Sequence, residues 1–358
     1  MRVCVLYNLD HDAPVPGRES REDVCRVAEA VGRALTAAGH RPSLLAVGDD
    51  PLHALGALRG SSAPDLVFNL CESVRGDARG EASMSAALQL LSLPFTGSDG
   101  LTLGLALDKD KAKALLRQRG ISTPDWWVLE RGAAPPDVEF PFPLIVKPLR
   151  EDGSLGITFD SVVHDRAGLW AAACRVWALE QPALVEVYVE GREVMVSFLG
   201  NAPRQALPLR EIAFGPAFDG RPRIVSYLAK WDPAAPECQD SASVACALPP
   251  DAASRVLHTA LRTSEALGCR DYGRVDLRLS AAGVPYVIDV NPNCDLHPDA
   301  GFARAAAEAG LDYPALVSRI AEVALERTRR DTRDASDPAG GPAGAASAAA
   351  AGRHVQRG

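Results

Sequence analysis

The sequence predicts an α/β protein that turns α+β in its C-terminal half. Three observations carry that reading. Compact apolar strands alternate with helix-spaced segments through the first hundred residues, the pattern of a parallel sheet. From residue 183 onward the strands lengthen and alternate polar with apolar side chains, the period of half-buried strands. The last two such runs, 274–279 and 284–291, flank Ser280-Ala281-Ala282-Gly283 and read as one β-hairpin.

Taken in order, residues 3–8 form the first strand. Ser20 with Asp23 has capping-box spacing. Val24, Val27, Ala28, Val31 and Leu35 then repeat at helical intervals, and Gly39 closes the helix. Residues 42–47 and 66–70 are further strands, and 81–91 a second helix. No Gly-x-Gly-x-x-Gly follows the first strand, so a dinucleotide fold is poorly supported. A second unit starts near Asp108, which caps a helix running to Gly120. It carries Trp126-Trp127-Val128, the strand Leu144-Ile145-Val146-Lys147-Pro148 and the loop Asp152-Gly153-Ser154-Leu155-Gly156. A helix over about 314–329 ends the fold. The remainder is rich in Ala, Gly, Pro and Asp without an apolar period, which predicts disorder. The expected units are residues 1–105, 106–182, 183–330 and the tail 331–358.

Composition narrows the function. The 358 residues are 47% hydrophobic and 23% charged, enough for two or three domains with cores. No apolar run matches a membrane span, and the first is too short for a secretory core. Eight scattered cysteines without a Cys-x-x-Cys pair argue against structural zinc or a disulfide framework and suit a cytoplasmic protein. A net charge of −8 argues against general nucleic-acid binding. A few local lysines and arginines still suffice for a nucleotide.

The hairpin holds the most specific chemistry. If its turn closes around residues 281–284, Asp276 faces Asp289 and Arg274 faces Asn291. Val275, Leu277 and Leu279 then point to one side. On the return arm Val284, Tyr286, Ile288 and Val290 alternate with Pro285, Val287, Asp289 and Asn291. Directly opposed Cβ atoms lie about 5 Å apart, so two aspartates there call for a cation. Oxygen-only ligands suit Mg²⁺. An exposed face with solvated charges explains the hairpin alone equally well. The glycines of 152–156 let backbone amides approach a phosphate and Ser154 adds a donor, although an ordinary turn fits the same residues. In 184–193, Glu186 suits an adenine amine, while Glu190 reads as a solvent-facing edge.

In number, order and spacing these pieces resemble the ATP-grasp superfamily and, within it, the D-alanine–D-alanine ligase branch. The supporting segments are Leu93-Pro94-Phe95-Thr96-Gly97-Ser98, Asp108-Lys109, Lys147-Pro148 with Gly153-Ser154-Leu155-Gly156, 186–193, Arg274-Val275-Asp276 and Asp289-Val290-Asn291-Pro292. The resemblance spans roughly residues 1–325. It implies an ATP-grasp fold preceded by a Rossmann-like N-terminal domain. It also implies an ATP-dependent carboxylate–amine ligase that forms an amide through an acyl phosphate and releases ADP and phosphate. Lys109 and Lys147 match lysines on the ATP phosphates, and Ser154 lies in the loop that closes over them. Glu186 matches the acid near the adenine amine, Val189 the backbone contact to adenine and Glu193 the ribose ligand. Asp276, Asp289 and Asn291 match ligands of two Mg²⁺ ions, with Mn²⁺ as the alternative. Arg274 matches the arginine that stabilises transferred phosphate and the acyl intermediate. Lys230, inside a candidate lid at 211–240, aligns with a family lysine, and Trp231 beside it replaces a tyrosine; a buried loop anchor is the other reading of Trp231. The implied partners are small carboxylates and amines, amino acids among them, and a second copy in a homodimer, with no nucleic acid or membrane.

The match departs where amino acids would bind. The family's His-Glu-Val-Ser signature is missing; Glu22 lies at the right distance to hold a substrate amine, or is a first-turn helix charge. Asn69-Leu70-Cys71-Glu72-Ser73 replaces a His-Gly pair. Residues 292–302 replace a Gly- and Ser-containing cradle for a carboxylate, which Asp295 would repel. Glu72, Asp295 and His297 suit an amine-bearing acceptor, and loop capping explains them equally. Three readings follow: a ligase for other substrates, a true D-alanine ligase with an atypical pocket, or a catalytically silent nucleotide-binding protein.

Overall fold

A computed structural model of the protein describes residues 1–9, 18–133 and 140–336, apart from the side chains of 18–22, 62 and 334–336. The first strands are β1 (Arg2–Asn8), β2 (Arg41–Val47) and β3 (Leu66–Leu70), paired in parallel in the order β2-β1-β3. Helix α1 (Arg18–Ala37) covers this sheet with Val24, Val27, Ala28, Val31 and Leu35, all buried as their spacing predicts. It starts two residues before Ser20, so the Ser20–Asp23 spacing lies inside the helix rather than at its entry. Helix α2 (Pro51–Ala57) was not expected, although its signal is present. Asp50 caps it by accepting from the Leu52 and His53 amides, with a proline at the first turn. Helices α3 (Arg79–Leu90), α4 (Gly100–Leu107) and α5 (Lys109–Gln118) lead out of this unit. Asp108 caps α5 by accepting from the Lys111 amide.

The central sheet is antiparallel, in the order β4-β7-β5-β6. Its strands are β4 (Trp126–Leu129), β5 (Leu144–Pro148), β6 (Val162–Val163) and β7 (Ala183–Val187), with α6 (Arg166–Trp177) packed against it. Strand β7 starts at the boundary expected at 183 yet pairs within the central sheet.

The third sheet contains β8 (Arg192–Leu199), β9 (Gln205–Ala206), β10 (Arg210–Phe214), β11 (Ser241–Ala245), β12 (Tyr272–Leu279) and β13 (Pro285–Asn291). Its order is β11-β10-β8-β12-β13, with β9 beside β8. Two short helices, α7 (Tyr227–Trp231) and α8 (Pro236–Gln239), interrupt the 211–240 segment. Helix α9 (Pro250–Ala266) buries one face of the sheet, where Val256 and Ala260 pack on Val275, Leu277, Val287 and Val290. After α10 (Gly301–Glu308), helix α11 (Tyr313–Ser336) returns to the first sheet, and Leu316, Val317 and Ile320 share a core with Val27, Val31 and Phe68. It outruns the expected end at 329 and takes in the first six residues assigned to the tail. Arg327 anchors these last turns, pairing with Asp271 at 3.0 Å and donating to the Phe95 carbonyl at 2.8 Å. The rest of the tail, 337–358, lies outside the described residues.

The hairpin requires one correction. Asp276 does pair with Asp289, and Arg274 with Asn291. The turn, however, closes one residue tighter than expected, with the Ser280 amide donating to the Val284 carbonyl at 3.0 Å. Leu277 therefore faces Val287 and Arg278 faces Tyr286. A β-bulge between Asp276 and Leu277 absorbs the extra residue, Ile288, and restores the register beyond it. The faces of β13 switch as a result. Val287, expected beside Asp289, is in the core with Val290, and Ile288 turns to the opposite side.

Candidate active site

A cleft of about 990 Å³ is bounded by the central sheet, the polar face of the third sheet, the 151–157 loop and α7. Every residue matched to the ATP, metal or catalytic roles whose side chain is described lines it; Glu22 lies outside the described side chains.

On the central-sheet wall, β5 and β7 are adjacent, so Lys147 reaches Glu186 at 2.6 Å. Lys113 pairs with the other oxygen of the same carboxylate. Glu186 is 1% exposed. Burial works against its charge, but the two ammoniums outweigh it and hold the carboxyl below the usual range. Lys113 is pushed down, first by burial and then by the like charge of Lys147, with Glu186 opposing. The reading of the sequence missed Lys113. Its spacing of four from Lys109 puts both on one face of α5, which was the available signal. Lys113 also donates to Thr123 Oγ1 at 2.7 Å, and that hydroxyl donates to the Val287 carbonyl at 2.8 Å.

Between β7 and β8 the chain turns sharply past Val189. Gly191 sits at φ +144°, and a Cβ there would lie 2.1 Å from the Leu279 carbonyl oxygen, so only glycine fits. Glu193 pairs with Arg278 at 2.9 Å. Burial raises the Glu193 carboxyl and Arg278 opposes that rise. Arg278 was not nominated. It also donates to the Gly191 carbonyl at 3.2 Å and to the Arg223 carbonyl, tying the turn and the 211–240 segment to β12.

At the hairpin, Arg274 grips both oxygens of Asp276 through its Nε and Nη2, at 2.6 and 2.8 Å. Asn291 donates to the same carboxylate at 3.0 Å. Lys109 bridges Asp289 at 3.3 Å and Asp152 at 3.2 Å. Burial disfavours both cations, yet the neighbouring carboxylates raise each above its ordinary range, chiefly Asp276 for Arg274 and Asp289 with Asp152 for Lys109. Each of the two opposed aspartates is thus neutralised by a cation. Among the described residues no group of three or more Asp, Glu, His or Cys is arranged to hold a metal. Two carboxylates and an amide on a cleft wall fit a hard divalent ion that takes its remaining ligands from phosphates and water.

The cleft is capped. In the 151–157 loop Gly153 and Ser154 both have φ +62°. Trp231 Nε1 donates to the Gly153 carbonyl at 2.8 Å, and the Tyr227 amide to the Ile157 carbonyl at 2.9 Å. Trp231 is therefore an anchor that seats α7 on the glycine loop. Lys230 beside it lines the cleft, its ammonium 4.8 Å from the Trp231 ring.

Behind the cleft lies a chamber of about 180 Å³ that shares Lys230, Trp231, Arg274 and Asn291 with it. Glu72 and Asp295 line this chamber together. His297 does not join them: it faces the larger cleft, where its ring nitrogen accepts from the Asp299 amide at 3.2 Å.

Comparison with known proteins gives a consistent likeness. The family model described as the D-ala D-ala ligase C-terminus matches residues 115–322. An uncharacterised Sinorhizobium fredii protein, y4sG, is 34% identical over 310 residues, covering 84% of this chain and 88% of its own length. A D-alanine–D-alanine ligase of Moorella thermoacetica is 30% identical over 315 residues, covering 86% and 96%. Among solved structures, the Bacillus anthracis D-alanine–D-alanine ligase complexed with ATP superposes with a TM-score of 0.73 at 21% identity, covering 92% of this chain and 99% of that one.

Proposed function

The chain belongs to the D-alanine–D-alanine ligase family of ATP-grasp enzymes and is an ATP-dependent ligase forming carbon–nitrogen bonds; from that premise we propose that it joins a small carboxylic acid to an amine through an acyl phosphate. The observation that carries this reading is the pairing of Asp276 with Asp289, flanked by Arg274 and Asn291, on the wall of a cleft that Lys109 and Lys147 also line. We take residues 1–105, the central sheet and the third sheet as the three working units.

In this proposal ATP lies along the cleft, its adenine near Glu186 and the Val189 backbone and its ribose near Glu193. Asp276, Asp289 and Asn291 would hold the divalent ions, which supply charge neutralisation for the triphosphate. The acid substrate's oxygen attacks the γ-phosphorus; that O–P bond forms as the bond to the ADP oxygen breaks. Lys109 and Lys147 offset charge on the phosphoryl oxygens, and Ser154 closes over them with its loop. The amine, as its free base, then attacks the acyl carbon, and the proton it loses leaves with the phosphate. Arg274 faces the resulting oxyanion, and phosphate departs as the amide forms. Lys230 and the Trp231–Gly153 contact keep out water that would hydrolyse the acyl phosphate.

The relatives' substrate, D-alanine, gives the competing reading. Asp295 argues against it, because a carboxylate ligand would face that acid. ADP release measured over a panel of acids and amines tests the proposal. Amine-dependent release supports it, and release independent of every amine across a broad panel overturns it. Release with D-alanine alone restores the dipeptide ligase.

A further inference from the structure

The chamber behind the cleft has an acidic wall whose carboxylates have no ion-pair partner among the described residues. Glu72, Glu81 and Asp295 line it. Among the described residues no Lys or Arg forms an ion pair with any of them. Glu81 accepts from Asn293 Nδ2 at 3.1 Å, and Asp295 from the His297 amide at 2.7 Å. Arg274 also lines the chamber, with its Nε and Nη2 engaged by Asp276. Among the described residues the one other cation on the wall is Lys230, carried by α7.

Glu72 is exposed, and it lines both the chamber and a small recess beside it. Desolvation first, and Asp295 second, push its carboxyl up to about 8. Desolvation, Asp152 and Glu72 raise Glu81 well above the usual range. Both shifts come first from burial and then from neighbouring carboxylates.

A second, independent feature lies at the inner end. Asn69 is 0% exposed. Its Oδ1 accepts from the Cys71 amide at 3.3 Å, which fixes the orientation of the amide. Its Nδ2 then has no partner among the described residues. Asn69 lines a recess of about 10 Å³ that shares Glu72, Glu81 and Asn293 with the chamber. That is room for one water-sized group. Buried donors are paired in native proteins, so this one awaits an acceptor.

We propose that the amine substrate is a cation without a carboxylate of its own, its ammonium held between Glu72 and Asp295 and its far end turned toward Asn69. An amino alcohol answers both features, because its hydroxyl accepts from Asn69 Nδ2; a diamine answers the acidic wall. Asp295 lines both the chamber and the cleft, so an ammonium beside it lies next to the reaction centre. This assignment rests on the ligase reading for its consequence, but not for its test.

The test is binding of ethanolamine, putrescine, glycine and D-alanine to the full chain, by calorimetry, in wild type, Asp295→Asn and Glu72→Gln. Both variants keep side-chain shape; if one does not fold, the other still decides. Ethanolamine is expected to bind most tightly and D-alanine at least about ten-fold more weakly. Each variant is expected to weaken ethanolamine about ten-fold or more, since one side of a close charge pair is lost. D-alanine binding as tightly as ethanolamine, or unchanged ethanolamine affinity in both variants, overturns the assignment. Ethanolamine binding without any amine-dependent ADP release would remove the ligase reading and leave this one standing. D-alanine-dependent ADP release without ethanolamine binding does the reverse.

Discussion

Replacing Glu186 by Gln would strand two ammoniums in the wall of the cleft. Apart from the one neutral oxygen the amide retains, Lys113 would keep only the Thr123 hydroxyl at 2.7 Å, and Lys147 only the Ile288 carbonyl at 3.4 Å. The side chains of Glu186 and Lys113 are 2% and 4% exposed, so little solvent screens the loss. Removing one partner of a buried pair costs about 3–5 kcal/mol. For a cooperative unit of 150–250 residues each kcal/mol lowers the midpoint by about 2–4 °C, so Glu186→Gln is expected to melt roughly 6–20 °C below wild type. Lys113→Met is expected to cost less, because Glu186 then still has Lys147. In the double variant one stranded ammonium is gone, and the combined loss should fall short of the sum by about 1–3 kcal/mol. Thermal and denaturant unfolding of the four proteins measure the cycle. If Glu186→Gln stays within about 1 kcal/mol of wild type, or if the two losses simply add, the carboxylate is not the hub of this wall and its role beside a nucleotide loses its support.

Other perturbations probe the remaining parts. Asp289→Ala is expected to cut ATP turnover by about 10²-fold or more with unchanged circular dichroism, because Lys109 keeps Asp152 at 3.2 Å; wild-type activity would remove Asp289 from the ion site. Trp231→Phe deletes only the donor to the Gly153 carbonyl. One hydrogen bond of about 1 kcal/mol is roughly five-fold, so ADP formed per amide made should rise several-fold, and tight coupling would exclude an anchoring role. Desolvation first, then Asp295, Asp152 and Asp23, raise the Glu72 carboxyl and Lys230 lowers it, to about 8. A raised acid is charged only above that value, so ethanolamine binding should strengthen from pH 6.5 to 8.5, until the amine itself loses its proton. A flat profile would mean that Glu72 does not meet the ammonium.

The parts legible in the sequence were those where one local rule acted alone. Val24 to Leu35 follow a helical period and are buried; Asp108 precedes a helix and caps it. The lysine and aspartate motifs were legible as chemistry because order and spacing, not any single residue, carried the resemblance. What stayed hidden was set by tertiary partners. Lys113 becomes part of the site because β7 brings Glu186 over α5, and Arg278 because the Gly191 turn folds back onto β12. The end of α11 depends on Arg327 finding Asp271, 56 residues earlier in the chain. That the Asn69 donor has no partner among the described residues is visible only once Cys71 has taken its oxygen.

The hairpin shows how a right pairing can follow from a wrong turn. A four-residue loop and uninterrupted strands put Asp276 opposite Asp289. So do a three-residue loop and one bulge, because each change shifts the register by one residue and the two cancel. They do not cancel between the turn and the bulge, where Val287 moves into the core and Ile288 takes its place on the cleft side. The bulge therefore does two things at once. It keeps an apolar residue at 287 against α9, and it lets Asp289 and Asn291 face the cleft two and four residues later. A strictly alternating strand cannot do both, since residues 287, 289 and 291 would share one face. The irregularity lies beside the pair of aspartates because there the demands of core and site fall on the same parity.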